Sequence, residues 1–281
     1  VRLALLTCEK YASLYEDDRL LAAELTRRGV EVVARLWTLG VPGDVDAILM
    51  RSPWDWPGAR ERFRAFLREL ERAPQPVFNT PAVMSDYADK AYLPRLEARG
   101  VRVVPTEAFD ATELGRLPQR VATHGWRRVV VKPAFTANAI GARVVEAEAL
   151  PSLVGELSAQ PGLWLTQPYV ESIAEGELSF VFFDGDFSHA VRKQPAAGEW
   201  RVQHDYGGAA LPVNVSAAWV DEAAAILRAA APGELYARVD CVLLDGALHL
   251  MELELVEPEL FFRVDAAAAA RFADALLRRL G

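Results

Sequence analysis

Three acidic residues near the end of the chain, Asp240, Glu252 and Glu254, have the spacing of a metal-binding hairpin. Side chains of a strand alternate with period two, so Glu252 and Glu254 share one face, and a tight turn at Asp245-Gly246 brings Asp240 beside them. Three converging carboxylates inside an apolar hairpin are costly in repulsion and desolvation unless a hard cation neutralises them. Mg²⁺ suits the task, because it favours oxygen ligands and keeps water and phosphate oxygens in its shell. An exposed strand face carrying glutamates has the same spacing, and the residues alone leave both readings open.

Basic residues offer a complementary chemistry. Lys132 closes the apolar run Val129-Val130-Val131 and precedes Pro133, where a lysine either snorkels outward or holds an anion. The loop behind it, residues 135–142, is made of small residues that can turn backbone N–H groups toward phosphates, although it holds a single glycine. Lys90, in a helix-like stretch, is an anion ligand or part of a solvated face. The segment Gln167-Pro168-Tyr169-Val170 follows a strand and can offer backbone groups to an adenine edge, or simply end the strand. Arg192, Lys193, Arg201 and Gln203 form a second polar set, suited to carboxylate or phosphate capture or to a charged rim. The histidines show no metal spacing, and neither a nucleophile elbow nor a cysteine–histidine pairing is present. Covalent hydrolase chemistry is therefore not supported.

These groups need elements to position them. Residues 1–80 alternate apolar strand runs (Leu3 to Leu6, Val30 to Trp37, Val45 to Met50) with amphipathic helical stretches (Asp17 to Arg28, Ala59 to Arg72), which reads as an open α/β unit. No Gly-x-Gly-x-x-Gly follows the first strand, so this is not read as a nicotinamide domain. Residues 81–165 read as a helix from Pro81 to Arg99, strands at Val101 to Val104 and Val129 to Lys132 around a helix near Thr112 to Thr123, then a strand at Ala142 to Val145 and a helix at Leu150 to Ala159. Residues 166–281 hold two antiparallel hairpins, turning at Asp184-Gly185-Asp186 and Asp245-Gly246, and a final helix from about Val264 to Leu280.

The 281-residue chain has a formal net charge of -8, which repels nucleic acid and anionic lipid. No apolar run long enough to span a bilayer occurs, and the first residues read as a buried strand, not a signal segment. Two cysteines without a Cys-x-x-Cys spacing fit a reduced, cytoplasmic setting.

Taken in order, Asp89-Lys90, Val129-Val130-Val131-Lys132-Pro133, Gln167-Pro168-Tyr169, Glu175-Gly176-Glu177, Arg238-Val239-Asp240 and Glu252-Leu253-Glu254 resemble the ATP-grasp superfamily over nearly the whole chain. The stretches Arg51 to Trp56, Phe187 to Val191, Gly198 to Gln203 and Glu252 to Pro258 are similar to its glutathione-synthetase-like group, which includes the ring-closing ligase of cycloserine biosynthesis. The resemblance implies a pre-ATP-grasp α/β domain followed by two lobes that clasp ATP between antiparallel sheets. It implies Lys90 and Lys132 on the ATP phosphates, Gln167, Pro168, Tyr169 and Val170 as the adenine hinge, and Glu175 or Glu177 on the ribose. Asp240, Glu252 and Glu254 would then hold Mg²⁺, or Mn²⁺ in its place. Glu254 departs from the asparagine of glutathione synthetases, and the loop after Lys132 has fewer glycines than usual.

The implied reaction is an ATP- and Mg²⁺-dependent ligation of an amino acid or related carboxylate to an amine through an acyl phosphate. Arg201, with Arg192 and Lys193 near it, is the expected stabiliser of the tetrahedral oxyanion or the transferred phosphate. Arg51, at a strand end, is an expected substrate carboxylate clamp or a structural ion pair, with Trp54 in the segment that would contact substrate. A phosphotransferase on the same fold and an ATP-binding module without turnover are the rival readings. A homodimer is compatible with all of them.

Overall fold

The computed structural model describes residues 1–281, the side chain of His204 excepted. The N-terminal part folds as β1 (Arg2–Thr7), α1 (Glu16–Arg27), β2 (Glu31–Leu36), β3 (Ala47–Ser52), α2 (Arg60–Leu70) and β4 (Val77–Phe78). Its four strands pair in parallel in the order β2-β1-β3-β4. Because β1 is covered on both faces, its run Leu3 to Leu6 is continuously apolar and fully buried, as a central parallel strand requires. This is the expected open α/β unit.

The middle of the chain forms α3 (Pro81–Tyr87), α4 (Tyr92–Ala98), β5 (Glu107–Phe109), α5 (Leu117–Thr123), β6 (Arg128–Pro133), β7 (Arg143–Glu146), α6 (Leu150–Leu157) and β8 (Trp164–Pro168). Its antiparallel sheet has the order β5-β8-β6-β7. β8 runs across the position where the sequence divides the second unit from the third.

Two expectations fail here. The single helix from Pro81 to Arg99 is two helices, because Pro94 lacks an N–H and its ring clashes with the carbonyl four residues back, that of Lys90. The chain breaks there, and the Lys90 N–H instead donates to the Ala134 carbonyl at 2.9 Å. The strand expected at Val101 to Val104 is reduced to one bridge between Val103 and Leu250.

The last part forms β9 (Glu177–Phe183), β10 (Asp186–Gln194), β11 (Ala209–Pro212), α7 (Ala217–Ala230), β12 (Tyr236–Leu244), β13 (Ala247–Glu254) and α8 (Ala268–Leu280). Five strands pair antiparallel in the order β11-β10-β9-β12-β13, with both expected hairpins in place. α7 was not anticipated; the Ser216 side chain caps it by accepting from the Trp219 N–H at 3.3 Å.

The first and third sheets are welded together. Leu3 and Leu5 of β1, Leu21 and Leu25 of α1, Val181 and Phe183 of β9, and Phe272 and Leu276 of α8 belong to one buried cluster. Polar ties reinforce it at the start of α1, where Asp17 accepts from the N–H groups of Phe262 and Arg263 at 2.8 and 3.0 Å. Both ties position the segment after β13 beneath the ends of β1 and β3. No helix among the described residues is long and apolar enough to cross a membrane.

Candidate active site

A cavity of about 340 Å³ lies where the three sheets meet. It is bounded by the carboxyl ends of β1 and β3, by the loop after β6, and by the faces of β10, β12 and β13. Open α/β sheets bind ligands at those strand ends.

The floor follows from strand register. Arg238 pairs with Glu254 and Asp240 with Glu252 across β12 and β13, and Ser179 of β9 pairs with Asp240. Period-two alternation therefore sets Arg238, Asp240, Glu252 and Glu254 as four corners of one sheet face. Each corner is ionically matched. Lys90 Nζ lies 2.8 Å from Glu252 and also donates to the Thr136 carbonyl. Lys193 Nζ lies 2.8 Å from Asp240 and 2.5 Å from Glu177. The Arg238 guanidinium donates to Asp240 at 2.9 Å and to Glu254, and also to the Glu259 carbonyl at 3.0 Å.

The electrostatics follow from burial and these pairs. Burial opposes ionisation of Asp240, but Arg238 and Lys193 overcome it and hold its carboxyl well below the usual carboxylate range. Burial opposes ionisation of Glu252 too, and Lys90 and Lys132 pull its carboxyl below the ordinary value. Burial raises the Glu254 carboxyl, with Glu252 and Asp240 adding to the effect. Burial lowers the Lys132 ammonium to about 8, only partly offset by Glu252.

The three carboxylates do not converge as expected. Among the described residues, no three acidic, histidine or cysteine side chains gather at one point. Arg238 occupies the fourth corner, and both Asp240 oxygens are taken up by Ser179, Lys193 and Arg238. Glu252 and Glu254 do line the cavity. Two hard oxygen donors two residues apart on one strand face fit a Mg²⁺ ion that completes its shell with nucleotide oxygens and water.

Other expected residues fall on both sides of the line. Lys90, Lys193 and Trp54 line the cavity, and Lys132 sits close enough to Lys90 for their charges to interact. Lys90 is 7% exposed, which rules out a solvated helix face. Arg51 takes its structural reading: it is 1% exposed, pairs with Asp18 at 2.8 Å and donates to the Pro258 carbonyl, outside the lining of this cavity. Arg201 is folded back onto Glu199 at 2.6 Å and over the Tyr206 ring at 3.6 Å, away from the cavity lining. Arg192 points to the other side of β10 from its neighbour Lys193 and packs over Gly176, where a Cβ would lie 2.6 Å from Arg192 Cγ.

Gln167 and Pro168 end β8, Tyr169 and Val170 follow it, and all four lie outside the cavity lining. Gln167 donates to Thr106 at 2.9 Å, and Tyr169 stacks under Arg128. Val170 joins a small apolar cluster with Val104, Ile173, Val202 and Val242. Glu175 is exposed, and Glu177 is buried on Lys193.

Two cavity residues escaped the sequence reading. Arg238 was quoted only as part of a motif, yet an arginine inside an apolar strand two positions before a buried aspartate is itself a signal of a same-face pair. Glu257 stood only inside the stretch Glu252 to Pro258 and had no role of its own, because its position depends on the distant loop after β3: the Trp54 indole N–H donates to its carbonyl at 2.9 Å and the Trp56 indole N–H to its carboxylate at 2.5 Å.

Comparison with known proteins agrees with this geometry. Residues 3–79 match the family model described as the N-terminal domain of D-cycloserine synthetase DcsG. The cycloserine biosynthesis protein DcsG of Streptomyces lavendulae is 30% identical over 261 residues, covering 84% of this chain and 83% of that protein. The crystal structure of D-cycloserine synthetase DcsG superposes with a TM-score of 0.88 at 27% identity, with 100% of both chains covered. The ATP-grasp ligase PsnB, in complex with a phosphomimetic variant of a minimal precursor, Mg and ADP, shares the fold at a TM-score of 0.69 and 17% identity over 99% of this chain and 98% of that one. These likenesses define an ATP-using carboxylate–amine ligase, and the cavity floored by paired lysines, arginine and carboxylates is its candidate site. The chain belongs to the ATP-grasp ligase family that contains DcsG, and it is an ADP-forming enzyme.

Proposed function

We propose that the cavity receives ATP with its triphosphate over Lys90, Lys193 and Arg238, and that the enzyme activates a small carboxylate as an acyl phosphate which an amine then displaces. The observation that carries this reading is the four-cornered ionic face, where Lys90 opposes Glu252 and Arg238 opposes Glu254 on the cavity floor. Glu252 and Glu254 would hold Mg²⁺, and Asp240 would hold Lys193 and Arg238 in place behind them. When bound, the ion supplies positive charge to the phosphoryl oxygens as the carboxylate attacks.

A substrate carboxylate oxygen attacks the γ-phosphorus and ADP leaves. The amine nitrogen then attacks the acyl carbon, loses one proton, and phosphate departs. Lys90 and Lys132 neutralise the phosphates, and Arg238, not Arg201, faces the developing oxyanion, because Arg238 lines the cavity while Arg201 lies outside its lining, folded onto Glu199 and Tyr206. The apolar cluster around Val104, Val170 and Val242 would take the adenine, with the end of β8 as its hinge. Glu175 is the proposed ribose partner, since Glu177 is engaged by Lys193. Support comes from the PsnB complex, which holds Mg and ADP.

The test is ADP release with Mg²⁺ over a panel of small carboxylates and amines, with product masses recorded. One ADP and one phosphate per amide product is the expected stoichiometry. A phosphorylated product whose yield ignores the amine would replace this mechanism with phosphotransfer.

Lys132 makes the nucleotide affinity depend on pH. Its folded-state pKa of about 8 lies below the ordinary lysine value, so the ammonium is present below that pH and is lost as pH rises through it. Phosphate favours the charged form, so ATP affinity should fall by up to about tenfold per pH unit above pH 8. Lys132→Arg keeps its charge and isolates this effect from the neighbouring carboxylates. Parallel wild-type and variant affinities across pH 7–10, measured by calorimetry, would remove Lys132 from the phosphate site.

A further inference from the structure

We propose that Glu257 is the amine-binding carboxylate of the enzyme and takes the ammonium group of a small amino-bearing substrate; the inference rests on the ligase reading and narrows its substrate class. The geometry begins at the loop after β3, which spends two indole N–H groups on one residue. Trp54 donates to the Glu257 carbonyl at 2.9 Å, and Trp56 donates to its carboxylate oxygen Oε1 at 2.5 Å. Trp56 is 2% exposed, stacked on Phe63 at 5.0 Å and edge-on to Phe135 at 4.7 Å, so its donor is rigidly aimed. Such a clamp fixes a carboxylate without neutralising it.

Charge pairing sets Glu257 apart from its neighbours in the cavity. Glu252, Glu254 and Glu259 have Lys90, Arg238 and Arg263 respectively as partners. Glu257 has no cationic partner within ion-pair distance among the described residues, and the nearby cations are committed elsewhere: Lys90 to Glu252 and the Thr136 carbonyl, Arg238 to Asp240, Glu254 and the Glu259 carbonyl. A carboxylate in a partly enclosed cavity without a counterion recruits one from the ligand.

The surroundings suit an ammonium group. Tyr11, Tyr15 and Trp54 form an edge-to-face trio with centroid separations of 5.3, 5.3 and 4.8 Å, and all three line the same cavity as Glu257. The Tyr15 hydroxyl donates to Glu259 at 3.1 Å, which holds its ring in place. The Tyr11 ring already faces one ammonium, that of Lys10 at 5.0 Å. Aromatic faces beside a carboxylate attract organic cations and exclude anions. The cavity thus carries Glu257 and the aromatic trio beside Lys10 and Arg263, the latter taken up by Glu259 and Asp17, while Lys90, Lys193 and Arg238 supply positive charge for phosphate and carboxylate.

The experiment is equilibrium binding in the presence of Mg²⁺ and ATP, with D- and L-alanine, D- and L-serine and β-alanine compared with propionate and 3-hydroxypropionate, alongside ADP release. Wild-type protein should bind at least one amino-bearing member about tenfold or more tighter than its des-amino counterpart. Glu257→Gln should erase that preference while leaving the affinities for ATP and the des-amino acids unchanged. Unchanged ATP affinity also establishes that the variant is folded. Trp56→Phe, which keeps the ring and deletes the donor, should give a smaller loss in the same direction. Absence of any amino preference in wild type, or its survival in Glu257→Gln, overturns the assignment. An amino preference that Glu257→Gln abolishes, without ADP release from any acid–amine pair, would retain the amine site and overturn the ligase mechanism.

Discussion

Arg238→Met is expected to lower turnover by about 10²- to 10³-fold, the range for removing a preorganised donor at a developing oxyanion. Arg238 lines the cavity, and its guanidinium bridges Asp240 and Glu254 while donating to the Glu259 carbonyl. That planar fork reaches three separate groups at once, which an ammonium point charge cannot do. Arg238→Lys should therefore recover only a minor part of the rate. Methionine approximates the length of the side chain and leaves Asp240 with Lys193 and Ser179, so the fold should survive at reduced stability. Steady-state ADP release at saturating ATP, with an unfolding curve for each variant, separates the two effects. A wild-type rate in Arg238→Met would remove Arg238 from the chemistry.

Asp240→Asn should cost about 3–5 kcal/mol of folding stability, the penalty for breaking a buried ion pair by removing one partner. Asp240 is 1% exposed and bonded to Arg238, Lys193 and Ser179, so asparagine leaves two buried cations sharing one fewer carboxylate. Such a loss is a large part of the roughly 5–15 kcal/mol that holds a domain folded. The pH dependence carries a sign. The folded-state carboxyl lies below its unfolded value, so its contribution is complete above about pH 4 and is lost as pH falls through the folded value. Wild type should lose stability on acidification below pH 4 more steeply than Asp240→Asn. Urea unfolding at pH 7 and pH 3 measures both differences, and equal midpoints for the two proteins at pH 7 would show that the network contributes nothing.

The contrast between Arg51 and Lys90 shows how far residue patterns reach. Arg51 ends an apolar run and Lys90 sits in a helix-like stretch, and each carried a binding reading and a plainer one, an ion pair for Arg51 and a solvated face for Lys90. Arg51 is buried because Asp18, on α1, and the Pro258 carbonyl lie across the sheet ends to receive it. Lys90 enters the cavity because Pro94 interrupts the helix around it and Glu252, 162 positions later, supplies the counter-charge. Neither partner is visible from the local spacing. The helix Ala217–Ala230 was missed for a simpler reason: its apolar stripe is alanine-rich and weakly amphipathic, and its cap is a single serine.

The amino-acid sequence determined the elements whose signals are local. Continuous apolar runs specify the buried parallel strands, and Asp-Gly turns with alternating flanks specify both hairpins. Period-two alternation also set Glu252 and Glu254 on the face occupied by Asp240, since strand geometry admits no other placement once the register is known. Tertiary structure decided which charges meet. It gave the fourth corner of that face to Arg238, turned Asp240 inward onto Lys193, and brought two indoles from the loop after β3 onto Glu257. The physical reason is range: backbone propensity and side-chain alternation act over a few residues, whereas ion pairing and desolvation depend on whatever the packed chain places within a few ångströms.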